Sequence, residues 1–201
     1  RIFGVVETVN SLSKSFAIFY GFNEIKFGWS GSIQTDHYRF VQDTGELNPG
    51  QVYNFTGIWD GTGNSMTGFK SFLDGKEKEY TFDDAGNISF PVFTTTTPEI
   101  SIGLVGFYFD GSIYNLSIFD KALTTNEAQT LYRLENNPYT AGLGSNIIAY
   151  WPFDEREGGT VKDRGPNGYD GTLINYTPNS EKSLGSTNVH VNGYTQAPII
   201  R

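Results

Sequence analysis

Short apolar segments recur along the first 120 residues, and turn-forming residues separate them. Residues 24–29 (EIKFGW) alternate polar and apolar positions, as a half-buried strand does, and residues 16–20 (FAIFY) are a continuous apolar run of buried-strand length. Residues 69–73 end at Asp74-Gly75, a dipeptide that strongly favours a hairpin turn. Because turn signals return about every 8–12 residues, the pattern predicts a β-sandwich or a β-barrel.

One short helix is predicted after these strands. Thr124 and Glu127 form a capping box, in which the threonine hydroxyl accepts from the Glu127 amide and the Glu127 side chain reaches back. Three apolar residues then share one face of the helix: Ala128, Leu131 and Tyr132. The run Asn-Asn-Pro at residues 136–138 ends it, so the sequence predicts a single helix on a β protein.

Composition supports the β class and narrows the type of partner. Aromatic residues make up 15% of the chain and glycine supplies 24 residues, which favours strands joined by tight turns. The net charge of −8 argues against nucleic acid and against anionic membrane surfaces, because both require a basic face. The chain has no cysteine, which excludes disulfides, thiolate metal sites and a cysteine nucleophile. No apolar run approaches the roughly 20 residues of a membrane helix.

Four asparagines stand in N-x-S/T triplets, the acceptor sequence for N-glycosylation: Asn54, Asn87, Asn115 and Asn175. Such triplets also arise by chance in a chain rich in asparagine, so both interpretations stay open. Sequons in a chain without cysteine fit a prokaryotic or viral surface protein better than a typical secreted animal protein. We therefore expect an extracellular location, at a cell or virion surface.

Three sets of motifs stand out. The first comprises residues 102–103 (IG), 109–113 (FDGSI) and 122–132 (ALTTNEAQTLY), and the second comprises residues 58–61 (IWDG) and 72–76 (FLDGK). The third is long and specific, and comprises residues 150–155 (YWPFDE), Asp163 and residues 167–173 (NGYDGTL). All three resemble laminin G-like domains of the concanavalin A-like lectin/glucanase superfamily. The resemblance implies an all-β fold: a jelly-roll, antiparallel β-sandwich with one short helix.

The order of these motifs differs from the order in that family. There the Trp-Pro-Phe-Asp-Glu segment opens the domain and the helix segment closes it, whereas here the opening segment comes last. Residues 189–199 resemble the family's next strand pair, and residues 1–9 resemble the strand that follows. The resemblance therefore divides the chain into three parts: residues 1–135 as the back half of a sandwich, 136–146 as a linker, and 147–201 as the front half.

Three arrangements of these halves stay open. The chain is a circular permutant whose halves pair with each other, a stretch of a tandem array, or a subunit whose front half completes the back half of the next copy. The last arrangement is head-to-tail and does not close, so it builds filaments. We expect a non-enzymatic structural or adhesive module that shares half-domains with copies of itself. The alternative is a monomeric, circularly permuted carbohydrate-binding domain.

The carboxylates do not follow the pattern of the superfamily's glucanases. Those enzymes carry a Glu-x-Asp-x-(x)-Glu strand, whose carboxylates alternate onto one face as acid and nucleophile. The nearest runs here are residues 77–79 (EKE) and 154–157 (DERE), for which a solvated turn and a structural role are the simpler interpretations. His37 and His190 are the only histidines, and nothing in the sequence joins them to a nucleophile. We therefore expect no enzymatic activity.

Calcium is the cofactor that the resemblance suggests, because relatives often bind it through carboxylate and carbonyl oxygens. The candidate ligands lie in two glycine-containing turns: Asp163, Asn167 and Asp170 in one, and Asp110 in the other. The alternative is that these side chains only form turns with their own backbone. Relatives often carry aspartate after the Phe-x-Gly-x-Ile motif, where this chain has Tyr114 and Asn115.

Glycan binding is the usual role of such domains, through aromatic rings that stack on sugar faces. Four aromatic residues are the candidates: Trp29, Tyr38, Tyr108 and Tyr169. Packing in the core is the alternative for each, since a sandwich this rich in aromatics must bury many of them. Trp59 and Trp151 stand in core motifs of the family, so we assign both to packing.

Overall fold

The structure is a computed structural model, and it describes residues 3–9, 12–21, 24–30, 37–43, 47–48, 50–60, 69–79, 81–82, 99–102, 111–155, 159–172 and 189–191. These residues are mostly strands in antiparallel sheets with one α-helix, which confirms the all-β class in its coarse form. The chain divides into two compact units. The first unit is Val5–Pro98 with Lys121–Asn136, and the second is Arg1–Gly4, Glu99–Asp120 and Asn137–Arg201.

The described strands are β1 (Phe3–Val9), β2 (Leu12–Gly21), β3 (Glu24–Ser30), β4 (His37–Asp43), β5 (Phe55–Trp59), β6 (Phe69–Leu73), β7 (Lys76–Lys78), β8 (Thr81–Phe82), β9 (Glu99–Ile102), β10 (Gly111–Ile113), β11 (Leu116–Phe119), β12 (Ile147–Trp151), β13 (Thr160–Val161), β14 (Gly171–Thr172) and β15 (Val189–Val191). The helix α1 spans Thr125–Arg133, and a short 3-10 helix spans Gly144–Asn146.

The first unit holds two antiparallel sheets. One has the strand order β8-β4-β3-β2-β1, and the other has the order β5-β6-β7. The predicted hairpin is present: Asp74 and Gly75 join β6 to β7 with φ of 50° and 72°. Two positive φ angles are the requirement of a type I′ turn, which matches the twist of the strands it joins. A core cluster is formed by Ile25, Leu47 and Leu73, with Ile18, Tyr53 and Phe55 packed against it.

Helix α1 begins with the predicted capping box. The Glu127 amide donates to the Thr124 hydroxyl at 3.3 Å, and the Glu127 carboxylate accepts from the Thr124 amide at 2.8 Å. The Lys121 ammonium lies 2.6 Å from the same carboxylate. This hydrogen bond from Lys121 is the largest of the effects that hold the pKa of Glu127 below its usual value. Ala128 and Leu131 are buried as the sequence predicts, whereas Tyr132 of the same predicted face is 40% exposed.

Two left-handed residues follow the helix. Glu135 has φ of 57° and Asn136 has φ of 58°. The Asn136 amide donates to the Leu131 carbonyl at 2.9 Å, and the Glu135 amide donates to the Tyr132 carbonyl at 3.2 Å. This pair of bonds is a Schellman motif, whose left-handed position is usually occupied by glycine.

The second unit brings separated parts of the sequence into shared ladders. Strand β11 pairs with β12 in antiparallel register, with Leu116 opposite Trp151 and Ser117 opposite Tyr150. Strand β10 pairs with β15, where Ser112 lies opposite His190. The buried apolar residues of this unit include Ile113, Leu143, Ile147, Ala149, Tyr150, Trp151, Phe153 and Val161.

The stretch predicted as a linker is folded. The Leu143 amide donates to the Pro138 carbonyl at 2.8 Å, and the Ala141 amide donates to Asn137 at 3.1 Å, before the 3-10 helix leads into β12. Pro138 and Leu143 are buried, and burying these apolar side chains favours a fixed conformation. Residues 137–146 therefore form hydrogen-bonded turns between α1 and β12.

Loss of the helix cap is expected to destabilise the first unit. Thr124→Ala removes the hydroxyl that accepts from Glu127 and should lower the free energy of unfolding by about 1 kcal/mol in urea denaturation. Thr125→Ala is the matched control, because the Thr125 hydroxyl makes only a 3.4 Å contact with Glu77. Equal effects of the two substitutions would contradict the capping assignment.

The cap should also make stability depend on pH. The folded-state pKa of Glu127 is lowered, so its stabilising effect is present above the unfolded pKa and is lost as pH falls through the folded pKa. Glu127→Gln should therefore reduce the free energy of unfolding at pH 7, and the difference from wild type should shrink in acid. A difference that does not change between neutral and acidic pH would rule out this linkage.

Candidate functional site

The best-defined polar site of the described chain lies beside β12. The Tyr150 amide donates to Asp163 Oδ1 at 2.8 Å, and the Arg164 amide donates to the Tyr150 carbonyl at 2.7 Å. Both backbone groups of Tyr150 are therefore directed away from its ladder partner in β11. Strand β12 is thus satisfied on one edge by β11 and on the other by the loop that contains residues 163–164.

Asp163 organises this loop through backbone amides. Its Oδ1 also accepts from the Gly165 amide at 2.7 Å, and its Oδ2 accepts from the Tyr169 amide at 2.8 Å. Residue 165 must be glycine, because an added Cβ would stand 2.8 Å from Asp163 Oδ1 and 3.0 Å from the Ala149 Cα. One half-buried carboxylate thereby fixes three amides, and charge-assisted bonds of this type are among the stronger ones in proteins.

The spacing of the third motif set has a structural explanation. The buried Trp151 indole donates from Nε1 to the Tyr169 carbonyl at 2.8 Å, while Asp163 receives the Tyr169 amide. The Asn167 side chain donates to the Ile148 carbonyl at 2.8 Å. Trp151, Asp163 and the 167–170 turn are thus held in one network, and Trp151 is buried as predicted.

The carboxylate oxygens of Asp163 and Asp170 accept hydrogen bonds from backbone amides or from the Lys162 ammonium. Asp170 Oδ1 accepts from the Asp163 amide at 3.0 Å, and Asp170 Oδ2 lies 2.5 Å from the Lys162 ammonium. The hydrogen bond from Lys162 lowers the pKa of Asp170. In the part of the chain that is described, no group of three His, Cys, Asp or Glu side chains is placed to hold a metal ion. This geometry fits the turn-forming alternative for Asp163 and Asp170 better than a set of converging ligands; calcium binding stays a prediction.

A cluster of polar and aromatic side chains surrounds the Tyr150 hydroxyl. We call it the tyrosine cluster, and it consists of Asn115, Tyr139, Tyr150, Asp154 and Arg164. The rings of Tyr139 and Tyr150 meet edge to face with centroids 6.2 Å apart. The Tyr139 hydroxyl donates to the Arg164 carbonyl at 2.6 Å, and the Tyr150 hydroxyl reaches Asn115 Oδ1 at 3.4 Å.

Charge and burial act together in the tyrosine cluster. Burial raises the pKa of the Tyr150 hydroxyl, and the negative charge of Asp154 raises it further. Asp154 itself is paired with the Arg164 guanidinium at 2.7 Å. The Tyr139 side chain is about half exposed, at 48%. The cluster therefore offers an accessible ring beside hydrogen-bonding groups, an arrangement suited to noncovalent binding of a polar ligand.

The predicted sugar-stacking residues that the structure describes belong to different units. Tyr169 is 54% exposed and lies in the loop of Asp163. Trp29 and Tyr38 lie directly opposite each other in the β3–β4 ladder of the first unit. Tyr108 and the candidate ligand Asp110 lie outside the described residues.

Two of the four sequons can be examined. The Asn54 amide nitrogen, which would carry a glycan, donates to Asn136 Oδ1 at 2.7 Å. Asn115 is half-buried, has φ of 46°, and its Oδ1 accepts from Tyr150. Asn87 and Asn175 lie outside the described residues. A glycan at Asn54 would replace one of the two hydrogens on the nitrogen that donates to Asn136.

The carboxylates considered for catalysis have other partners. Glu77 is contacted by the Thr125 hydroxyl, Asp154 pairs with Arg164, and Glu155 accepts from the Lys162 amide at 2.7 Å. His37 lies in β4 and His190 in β15. None of the helices in the described part of the chain has the length and apolar character that a membrane crossing needs.

Sequence reasoning did not identify Tyr139, Tyr150 and Arg164 as one cluster. Tyr139 belongs to the predicted linker, and Tyr150 stands directly before the Trp-Pro-Phe-Asp-Glu motif. No spacing rule joins residues on a turn, a strand and a loop. The one usable signal was Asp154, which is part of the motif and precedes the acidic run at residues 155–157.

Comparison with models of protein families, with curated protein sequences and with solved structures finds no match for this chain. The likeness to laminin G-like domains thus rests on the motifs alone and stays a prediction.

Removal of the Asp163 carboxylate should destabilise the second unit. Asp163→Ala leaves three amides without their acceptor and should lower the free energy of unfolding by about 2–4 kcal/mol in chemical denaturation. Asp163→Asn should have a smaller effect, because the amide oxygen still accepts. Lys162→Ala is the control, since the Lys162–Asp170 pair is exposed and such pairs contribute little. Wild-type stability of Asp163→Ala would contradict the role assigned to this loop.

Proposed function

We propose that the chain is a non-enzymatic extracellular structural or adhesive module, built as a jelly-roll sandwich of the laminin G-like type in permuted order. In this proposal the module assembles head-to-tail, when the front half of one copy completes the back half of the next. The observation that carries it is the ladder between β11, from residues 1–135, and β12, from residues 147–201. A second ladder, between β10 and β15, joins the same two parts of the sequence.

Neither half is self-sufficient on this account. Strand β12 buries Ile147, Ala149, Tyr150 and Trp151, and the edge that it presents to β11 would be unpaired without that strand. Unpaired strand edges recruit other chains. Exchange between copies uses the contacts of the closed chain again and requires no new interface. The ladders therefore supply the interaction that an assembly of half-domains needs.

The ion pair and hydrogen bonds made by the carboxylates that were considered for catalysis support the non-enzymatic part of the proposal. Asp154, Glu155 and Glu77 each contact a neighbouring side chain or amide, as described above. The extracellular location is supported by the sequons.

The tyrosine cluster favours a second candidate, a monomeric carbohydrate-binding domain. The half-exposed Tyr139 ring stands beside the Asp154–Arg164 pair, and such a combination can stack on a sugar and bind its hydroxyls. Binding to a glycan array that Tyr139→Ala abolishes would favour this candidate. Loss of that binding with EDTA would add calcium to it.

Engineered disulfides can test the proposed assembly, because the chain has no cysteine of its own. Ser112 and His190 are ladder partners in β10 and β15, at a distance suited to a disulfide. Ser112→Cys with His190→Cys should give covalent oligomers at high protein concentration and a cross-linked monomer at high dilution.

Each single-cysteine variant is the control for random oxidation, since it can form at most a dimer. Cross-linked monomer at every concentration would reject exchange and favour the monomeric candidate. Absence of any specific cross-link would contradict the pairing of the two halves.

A further inference from the structure

The end of α1 is an unusual place for two side-chain-bearing residues. Glu135 occupies the left-handed position of the Schellman motif and Asn136 repeats that conformation, with φ of 57° and 58°. The left-handed region is disfavoured for residues with a Cβ, least so for asparagine, and glycine enters it freely. The backbone at Glu135 is therefore strained, and a glycine there would relieve that strain.

The strained pair lies at a division in the chain. The first unit ends at Asn136 and the second resumes at Asn137. Asn137 directly precedes Pro138, and a residue before proline favours extended conformations. A change of backbone conformation at residues 135–136 thus alters the direction in which the chain leaves the end of α1.

Residues beyond this point are bonded to one another. The Tyr139 hydroxyl donates to the Arg164 carbonyl at 2.6 Å, and Leu143 donates to Pro138 at 2.8 Å. Arg164 in turn donates to Tyr150 of β12. The described residues between Pro138 and Arg164 can therefore change partners together, without breaking these internal bonds.

Among the described residues, hydrogen bonds outside the ladders also join residues 136–201 to the back half, and one of them runs from the Tyr150 hydroxyl to Asn115 Oδ1 at 3.4 Å. The Asn54 side chain donates to Asn136 Oδ1 at 2.7 Å. Asp120, at the end of β11, donates from its amide to the Asn146 carbonyl at 3.0 Å and accepts from the Asn146 side chain at 3.2 Å. The left-handed pair and these bonds fix the chain in its closed form.

We propose that Glu135 and Asn136 form a hinge that sets the balance between a chain closed on itself and half-domain exchange with a second copy. In the closed form both residues are left-handed and the Schellman bonds are made. In the exchanged form they become extended, the strain at Glu135 is released, and residues 137–201 pair with the back half of another chain. This inference rests on the proposed function, because it requires the two halves to be exchangeable.

The experiment uses the full chain that carries Ser112→Cys and His190→Cys, with the ratio of inter- to intrachain disulfides as the readout. Adding Glu135→Gly should favour the closed form and lower that ratio by about fivefold, because glycine avoids the cost of the left-handed conformation for a residue with a Cβ. Adding Glu135→Val should raise the ratio, since a β-branched residue disfavours the left-handed region. Gln129→Gly, on the exposed face of α1, is the matched control for general loss of helix stability and should leave the ratio unchanged.

The two glutamate substitutions act in opposite directions, so a folding defect in the valine variant leaves the glycine variant as a test. Interchain cross-links in the parent whose ratio is the same in both variants would overturn the hinge while the proposed function stands. No specific cross-link in the parent would overturn both. A ratio that Gln129→Gly raises as much as Glu135→Val does would also contradict the hinge.

Discussion

The antiparallel pairing of β11 with β12 is the interaction on which the rest of the second unit depends. It buries one of the largest side chains of the chain, Trp151, and leaves the outer backbone groups of Tyr150 for the loop of Asp163. The loop then uses the Trp151 indole as a further anchor for its own turn. Because Tyr150 lies on β12, the pairing of β12 with β11 also positions the side chains of the tyrosine cluster.

In the proposed function, the route from β11 to β12 makes this pairing the step at which closure within one chain and exchange between copies diverge. The chain leaves at Asp120, forms α1 in the first unit, reverses through Glu135 and Asn136, and returns to β12 after a folded turn segment. Local bonds at Asp120 and Asn146 join the two ends of this excursion. In the proposed exchange, strain at Glu135 favours the exchanged form, whereas the bonds between Asp120 and Asn146 favour the closed form. The β10–β15 and β11–β12 ladders are the same in both forms.

Local signals in the sequence were sufficient for the local elements. The Thr124–Glu127 cap and the Asp74-Gly75 turn are confirmed because each depends on residues within one turn of the chain. The tyrosine cluster depends on three elements that tertiary packing brings together, so no periodicity identifies it. Glu135 is a different case: the sequence signal for a left-handed helix end is glycine, and a glutamate in that position gives no signal.

Nuclear magnetic resonance can test the central pairing directly. Ser117 and Tyr150 lie opposite each other in the β11–β12 ladder, and both backbone groups of Tyr150 bond to the loop of Asp163. The two residues therefore form a non-hydrogen-bonded pair, in which the α protons lie close together. The account predicts a strong nuclear Overhauser cross-peak between these two α protons, and a sample mixed from labelled and unlabelled copies assigns it within or between chains. A spectrum in which the Tyr150 α proton contacts a different strand, or none, would contradict the account.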